Sequence, residues 1–425
     1  MNKKLFAYNQ TYFGQDDLEA RWKAWGLMPH TREAWKSGKR IAVCIANAAE
    51  LIPLVLYLKE LGVSALLLHG ETPLETAKML GKEGGCIGLV YQSVEDGILP
   101  LAGSESEVIS SQEPSICMFS SGTTGNPKLI SRPWSAIEAE ITAYNAEIDL
   151  DSAITPIVIS PVSHSYGLIS GVLSAMARQV VPHVAAYTNP KLTLAILRDT
   201  PKHIVYGVPM TLHVLTSFPS DIRFYQFMSS GAPMPQGLID KLAPLAGDRL
   251  LQQYGCSEAG CISINRSLRH SADIGKLLGH MQLVDAGASS HEPRELIITV
   301  QNQMIHTGDL AYQDQEALHL LARADDVINV SGLKVYPLEV ENVISQLPGI
   351  HECVVYRGSH PVMGETASCM VVADLELKSE TIREWCMQHL PPYKVPSKVA
   401  CVTKLPRTAT GKISRKLLEE AELSE

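Results

Sequence analysis

Between Arg40 and Tyr91, short β-branched apolar runs alternate with stretches whose apolar residues recur at helical spacing. Arg40–Ile45, Val63–Leu68 and Ile87–Tyr91 read as strands, and Ala49–Leu61 and Pro73–Lys82 read as helices. Strands joined in this rhythm need crossover connections, which makes them parallel. Ile157–Ser160, Val180–Val184, Ile204–Tyr206 and Leu296–Val300 continue the pattern, with helices between them. The prediction is a large α/β N-terminal domain over residues 1–322, with parallel or mixed sheets and crossover helices.

The pattern changes after Arg323-Ala-Asp-Asp326. Pro337 opens a helix whose apolar residues Val340, Val343, Ile344 and Leu347 fall at helical spacing, and Pro348-Gly349 closes it. Two strand-like runs, Glu352–Tyr356 and Ala367–Ala373, precede a second helix with Ile382, Trp385, Cys386 and Leu390 on one face. A small α+β C-terminal domain over 327–425 is expected, of a normal size for an independent unit and joined through a hinge at 323–326.

The chain has 425 residues and a formal net charge of −9, with no basic block of the kind that tracks nucleic acid. A small ligand is therefore expected and a nucleic acid is not. The N-terminus lacks an apolar run of signal-peptide length, and no run of about 18 apolar residues occurs, so a cytoplasmic protein without a membrane span is predicted. Nine cysteines without C-x-x-C pairs, and fourteen histidines without ligand spacing, predict buried free thiols rather than disulfides or a zinc site.

Candidate chemistry begins at Phe119-Ser-Ser-Gly-Thr-Thr-Gly-Asn-Pro-Lys128, directly after an apolar strand. Backbone N–H groups, hydroxyls and an ammonium can converge there on a polyphosphate. It is not the P-loop signature, because the lysine follows Asn-Pro and no hydroxyl comes after it. Alone, such a loop is ordinarily a solvated turn, and the segments downstream decide the matter. In order, these are Pro161-Val-Ser-His164-Ser-Tyr-Gly167, Ser229-Ser-Gly231-Ala-Pro-Met234 and Gln252-Gln-Tyr254-Gly-Cys-Ser-Glu258. His306-Thr-Gly-Asp309 before Arg323, and Pro406-Arg-Thr-Ala-Thr-Gly-Lys412-Ile-Ser-Arg415, complete the series.

From about residue 40 to 418 this series resembles the adenylate-forming superfamily of acyl-CoA synthetases, stand-alone adenylation enzymes and luciferases. Such enzymes attack the α-phosphorus of ATP with a carboxylate while pyrophosphate leaves, so cations and N–H donors must flank the attack line. The resemblance implies that Ser120, Ser121, Gly122, Thr123, Thr124, Gly125 and Lys128 hold phosphates, and that Glu258 with Thr124 holds Mg²⁺, an ion suited to hard oxygen ligands. Gly231, Ala232 and Pro233 with Gln253, Tyr254 and Gly255 would receive adenine, and Asp309 and Arg323 the ribose. Lys412 would bridge the substrate carboxylate and the α-phosphate. A unit charge about 4 Å from another is worth ~1 kcal/mol in water but ~4 kcal/mol at an effective dielectric near 20, so Lys412 counts when the small domain closes.

The resemblance further implies rotation about Asp325 and a second half-reaction at a pantetheine thiol of CoA or a carrier protein, whose arm passes Gly332. The acyl pocket would comprise His164, Ser165, Tyr206, Gly231, Gly255 and Cys256; the bland alternative for His164 is a core histidine satisfied by backbone. That set lacks an aspartate to pair with the amine of an α-amino acid, so an uncharged acid, aryl or small acyl, is expected. Leu129 stands where the family has glycine, Lys334 where arginine is frequent, and a compressed Gln301–His306 precedes Thr307. Two other functions stay open: a non-catalytic AMP-binding pseudoenzyme, and a luciferase-like adenylate oxygenase.

Overall fold

The computed structural model describes the chain except residues 1, 29–37, 102–112, 121–127, 187–188, 220, 286, 291, 361–363, 408–412 and 423–425. Its strands form sheets of thirteen, six and five. The six-stranded sheet has a parallel centre of Gly88–Tyr91, Arg40–Cys44, Ser64–Leu67 and Ser115–Ser120. Ile98–Pro100 and Lys128–Pro133 pair antiparallel at its two edges. Helix Ala48–Glu60, apolar around most of its circumference, is buried along nearly its whole length, and the Asn47 side chain caps it by accepting Ala49 N–H. The expected strand–helix alternation between Arg40 and Tyr91 is present, with each boundary within one residue of its expected place.

In the thirteen-stranded sheet, Leu250–Cys256, Gln226–Ser229, His203–Gly207, Thr155–Val158, His183–Val184 and Lys4–Tyr8 run parallel in that order. Val180–Val184 was expected to be one strand, yet only His183–Val184 pairs. Val180 N–H instead closes the preceding helix onto Ala175 O at 3.0 Å, after Gln179 adopts φ +61°. Beyond Cys256 the same sheet turns antiparallel through Arg323.

The five-stranded sheet begins at Ile328 and ends at Cys401, with helices Pro337–Ser345 and Ser379–His389 packed on it. Val340, Ile344, Ile382 and Cys386 are fully buried in its own core, so this segment carries a hydrophobic centre separate from the large sheets. The large mixed α/β N-terminal domain and a C-terminal α+β domain are both present. Among the described residues no helix is long and apolar enough to cross a membrane.

Candidate active site

The expected phosphate loop is bracketed by a hairpin in which Ser120 lies opposite Lys128. Ser121, Gly122, Thr123, Thr124 and Gly125 lie outside the described residues. Behind Lys128, strand Lys128–Pro133 carries Arg132, whose Nη2 donates to Glu140 Oε2 at 2.6 Å in a buried ion pair. Glu140 Oε1 in turn accepts Cys261 N–H at 2.7 Å. That carboxylate therefore ties the lysine-bearing strand to the turn holding Glu258, which is half-buried between strands Leu250–Cys256 and Gly260–Asn265. Gly260 sits at φ +78°, and a Cβ there would lie 2.4 Å from both Arg132 Nη1 and Glu140 Oε2. Burial pushes the neighbouring Cys256 thiol up to about 12.

Gly231, Ala232 and Pro233 form an exposed turn at the end of strand Gln226–Ser229. Gln252 secures it, its Oε1 accepting Met234 N–H at 3.3 Å. Side chains alternate along the next strand, so Tyr254 shares a face with Gln252, and the Tyr254 hydroxyl donates to Asp309 Oδ2 at 2.5 Å. Gln253, expected at the adenine, points its side chain the other way: its Nε2 donates to Ser170 Oγ at 3.1 Å inside the protein.

Asp309 and Arg323 are register partners across adjacent strands, with Arg323 Nη1 3.2 Å from Asp309 Oδ1 and 3.0 Å from Thr307 O. Glu295 accepts Gly308 N–H at 3.0 Å, and Thr307 Oγ1 donates to Leu296 O at 2.8 Å, fixing the turn that aims Asp309. Burial raises the Asp309 carboxyl above the usual carboxylate range, although Tyr254 and Arg323 pull it back. Burial, reinforced by the Asp309 charge, holds the Tyr254 phenol well above its ordinary value, so the proton stays on tyrosine.

His164 is exposed rather than a core histidine, and its ring lies 6.0 Å from that of His69 at the end of strand Ser64–Leu67. Ser165 leads into a π-helix, Tyr166–Leu173, that packs against strand Thr155–Val158. Gly167 is needed at its start, since a Cβ would lie 2.4 Å from Pro161 O. Tyr166 donates to Met228 O at 2.5 Å. Tyr206 is fully buried and accepts the Tyr144 hydroxyl at 3.2 Å.

Asp325 is exposed in a single helical turn, Ala324–Asp326, and its carbonyl accepts Arg357 Nη2 at 2.9 Å. Lys412 lies outside the described residues. Its neighbour Arg415 is spread among three partners: Asp326 Oδ2 at 2.9 Å, Glu341 Oε1 at 2.7 Å and Val355 O at 2.8 Å. Arg415 is thus held beside Asp326. Gly332, at φ +89°, and Ser331, at φ +51°, form a hairpin tip between paired Val330 and Leu333. Nothing lies within 4 Å of a Cβ built on Gly332.

Two family models match the chain: AMP-binding enzyme over residues 36–297, and AMP-binding enzyme C-terminal domain over 339–412. A 3,4-dihydroxybenzoate–aryl-carrier protein ligase of Bacillus anthracis is 44% identical over 421 residues, covering 99% of this chain and 100% of that protein. The chain belongs to the AMP-binding enzyme family. A 2-succinylbenzoate–CoA ligase of Bacillus cereus is 25% identical, covering 91% of this AMP-binding enzyme and 89% of the relative. The fold matches that of o-succinylbenzoate CoA synthetase from Bacillus subtilis with its acyl-adenylate, at a TM-score of 0.82 and 21% identity over 98% of this chain and 95% of that one. The chain is a ligase of the adenylate-forming superfamily.

Gln252, Glu140, Arg132, Thr307, Glu295 and Arg415 support the motif residues and were not among the expected site. Strand alternation around Tyr254 could have singled out Gln252. The others are chosen by tertiary contact.

Proposed function

We propose that this enzyme uses ATP to activate an aryl carboxylic acid as its acyl-adenylate and passes the acyl group to the phosphopantetheine thiol of an aryl carrier protein. The observation that carries this reading is the end-to-end alignment with the 3,4-dihydroxybenzoate–aryl-carrier protein ligase. The clustering of Tyr254, Asp309 and Arg323 supports it, because a buried carboxylate with lone pairs beyond those used by its protein donors suits the two hydroxyls of a ribose.

In the first half-reaction a carboxylate oxygen bonds to the α-phosphorus as the bond to the bridging oxygen of pyrophosphate breaks. Ser120 and Lys128 would donate to the leaving phosphates, and Lys412 would steady the charge at the α-phosphate. Among the described residues no group of three or more His, Cys, Asp or Glu side chains is placed to hold a metal. Glu258, with Thr124, would hold an Mg²⁺ ion, a hard cation suited to a carboxylate oxygen. That ion would neutralise phosphate charge. In the second half-reaction the thiol sulfur bonds to the acyl carbon, the thiol proton is lost, and AMP leaves with the bonding pair. Rotation of the C-terminal domain about Asp325 would withdraw Lys412 and admit the pantetheine arm past Gly332. His164 would line the acyl pocket and shield or open the path to the thiol.

ATP–pyrophosphate exchange across aryl, short-chain, long-chain and amino acids tests the reading. Exchange with hydroxybenzoates is expected. AMP binding without exchange for any acid would mark a pseudoenzyme, and oxygen uptake after adenylation an oxygenase. CoA is the second acceptor to try, given the CoA ligases among the relatives.

A further inference from the structure

Close enough to Tyr206, a residue of the expected acyl pocket, for its charge to act on that phenol, Arg178 has Nε, Nη1 and Nη2 all buried, and none makes a hydrogen bond. A guanidinium has five N–H donors and no acceptor, and it cannot shed its charge. An uncompensated buried cation is among the more costly things a fold can keep.

The surroundings point to what relieves that cost. Arg178 ends the helix that starts just after His164 and Ser165. Tyr206 lies in the strand between Val158 and Met228, whose chains run on to the His164 and Gly231 turns. Its hydroxyl accepts from Tyr144, which leaves its own proton to donate, and the Arg178 charge acts on the same phenol. Asn145 Nδ2 donates to Ser174 O at 3.0 Å, the carbonyl that also accepts Arg178 N–H, while its Oδ1 is buried without a partner. Unspent donors and an unspent acceptor therefore sit on packed elements, helix Trp134–Ile148, the helix Tyr166–Ala177 that Arg178 ends, and strand His203–Gly207. A hydroxyl both accepts and donates. A carboxylate would satisfy the donors alone, and an apolar ring neither.

Building on the aryl reading above, we propose that Arg178 and Tyr206 as donors, with Asn145 Oδ1 as acceptor, recognise a ring hydroxyl of the aryl acid on the side away from its carboxylate, and so set which acids are activated. A site built to bond a hydroxyl discriminates strongly against the analogue without it, because its buried polar groups are otherwise left unpaired.

The test compares kcat/KM in ATP–pyrophosphate exchange for 3,4-dihydroxybenzoate, 4-hydroxybenzoate, 4-carboxybenzoate and benzoate in the wild type, Arg178→Met and Tyr206→Phe. The wild type should prefer the hydroxylated acids, and Arg178→Met should shrink the ratio of 3,4-dihydroxybenzoate to benzoate at least 30-fold, with Tyr206→Phe shrinking it less. Arg178→Met should melt no lower than the wild type. If Arg178→Met proves insoluble, Tyr206→Phe and Arg178→Lys read the same ratio. A hydroxyl preference that survives these substitutions, a fall shared equally by all four acids, or a wild-type preference for 4-carboxybenzoate overturns the assignment while leaving aryl activation intact. Exchange with alkyl or amino acids and none of the benzoates overturns both.

Discussion

Tyr254 and Asp309, 55 residues apart in sequence, are joined by a 2.5 Å hydrogen bond that makes the tyrosine turn and the Thr307–Asp309 turn one unit. Arg323 holds the other oxygen of the same carboxylate. Asp309 is thus oriented by both neighbours before any nucleotide arrives, which lowers the ordering cost of binding. Replacing Asp309 with Asn should raise the KM for ATP about 10- to 100-fold, as expected for a charge-assisted acceptor worth about 1.5–3 kcal/mol. Steady-state exchange kinetics check this.

The same carboxyl sets a pH dependence. Its folded-state pKa is raised by burial, so its contribution to stability is fully present below the ordinary aspartate range and is lost as pH rises through the raised value. On lowering the pH from 7 toward 4, the Tm of the wild type should therefore gain on that of Asp309→Asn. Thermal unfolding of the two proteins across that range measures the difference, and the opposite trend would contradict the sign.

The Arg132–Glu140 pair should behave as a buried ion pair. Glu140→Ala strands Arg132 and Cys261 N–H and should cost about 3–5 kcal/mol. The double change Arg132→Met with Glu140→Gln keeps an acceptor for Cys261 and should fall within about 1–2 kcal/mol of the wild type. Urea unfolding of the large domain distinguishes the two.

Gly255 tolerates no side chain. A Cβ would stand 2.1 Å from Gly260 O, a backbone atom in the paired strand that cannot step aside. Gly255→Ala should lower stability by about 1–3 kcal/mol through overpacking and should impair exchange by displacing Tyr254 and Glu258. A variant with unchanged Tm and exchange would show that this turn is not fixed as described.

Lys412→Ala should reduce adenylate formation by orders of magnitude while leaving ATP affinity nearly unchanged, because its contact belongs to the transition state. Arg415→Met should lower the same rate less steeply, since Arg415 acts by anchoring the chain beside Asp326 and Glu341. Single-turnover adenylation and ATP titration together check both.

Much of the fold was legible because parallel strands buried on both faces read as continuous apolar runs, as at Arg40–Cys44 and Ser64–Leu67. The hairpin Lys4–Tyr8 with Thr11–Gly14, and the antiparallel strands between Asp273 and Arg323 other than Arg294–Val300, were not, since half-exposed strands mix polar residues at every second position. The π-helix Tyr166–Leu173 is almost wholly apolar and has no periodicity to reveal it. At the site, Tyr254, Asp309 and Arg323 stood out by motif and do come together. Gln253 was expected at the adenine on the strength of the family resemblance, and its side chain turns to the strand face opposite Tyr254, where it donates to Ser170. Arg178 carried no local signal at all, because its meaning lies in the lack of a partner, which only the packed structure displays.

The most direct test is the intact mass of a holo aryl carrier protein incubated with the enzyme, ATP, Mg²⁺ and 3,4-dihydroxybenzoate. The account predicts a carrier heavier by one dihydroxybenzoyl group, released again by hydroxylamine, with AMP and pyrophosphate formed in step. An unmodified carrier, with no pyrophosphate released for any aryl acid while another class of acid is consumed, would contradict it.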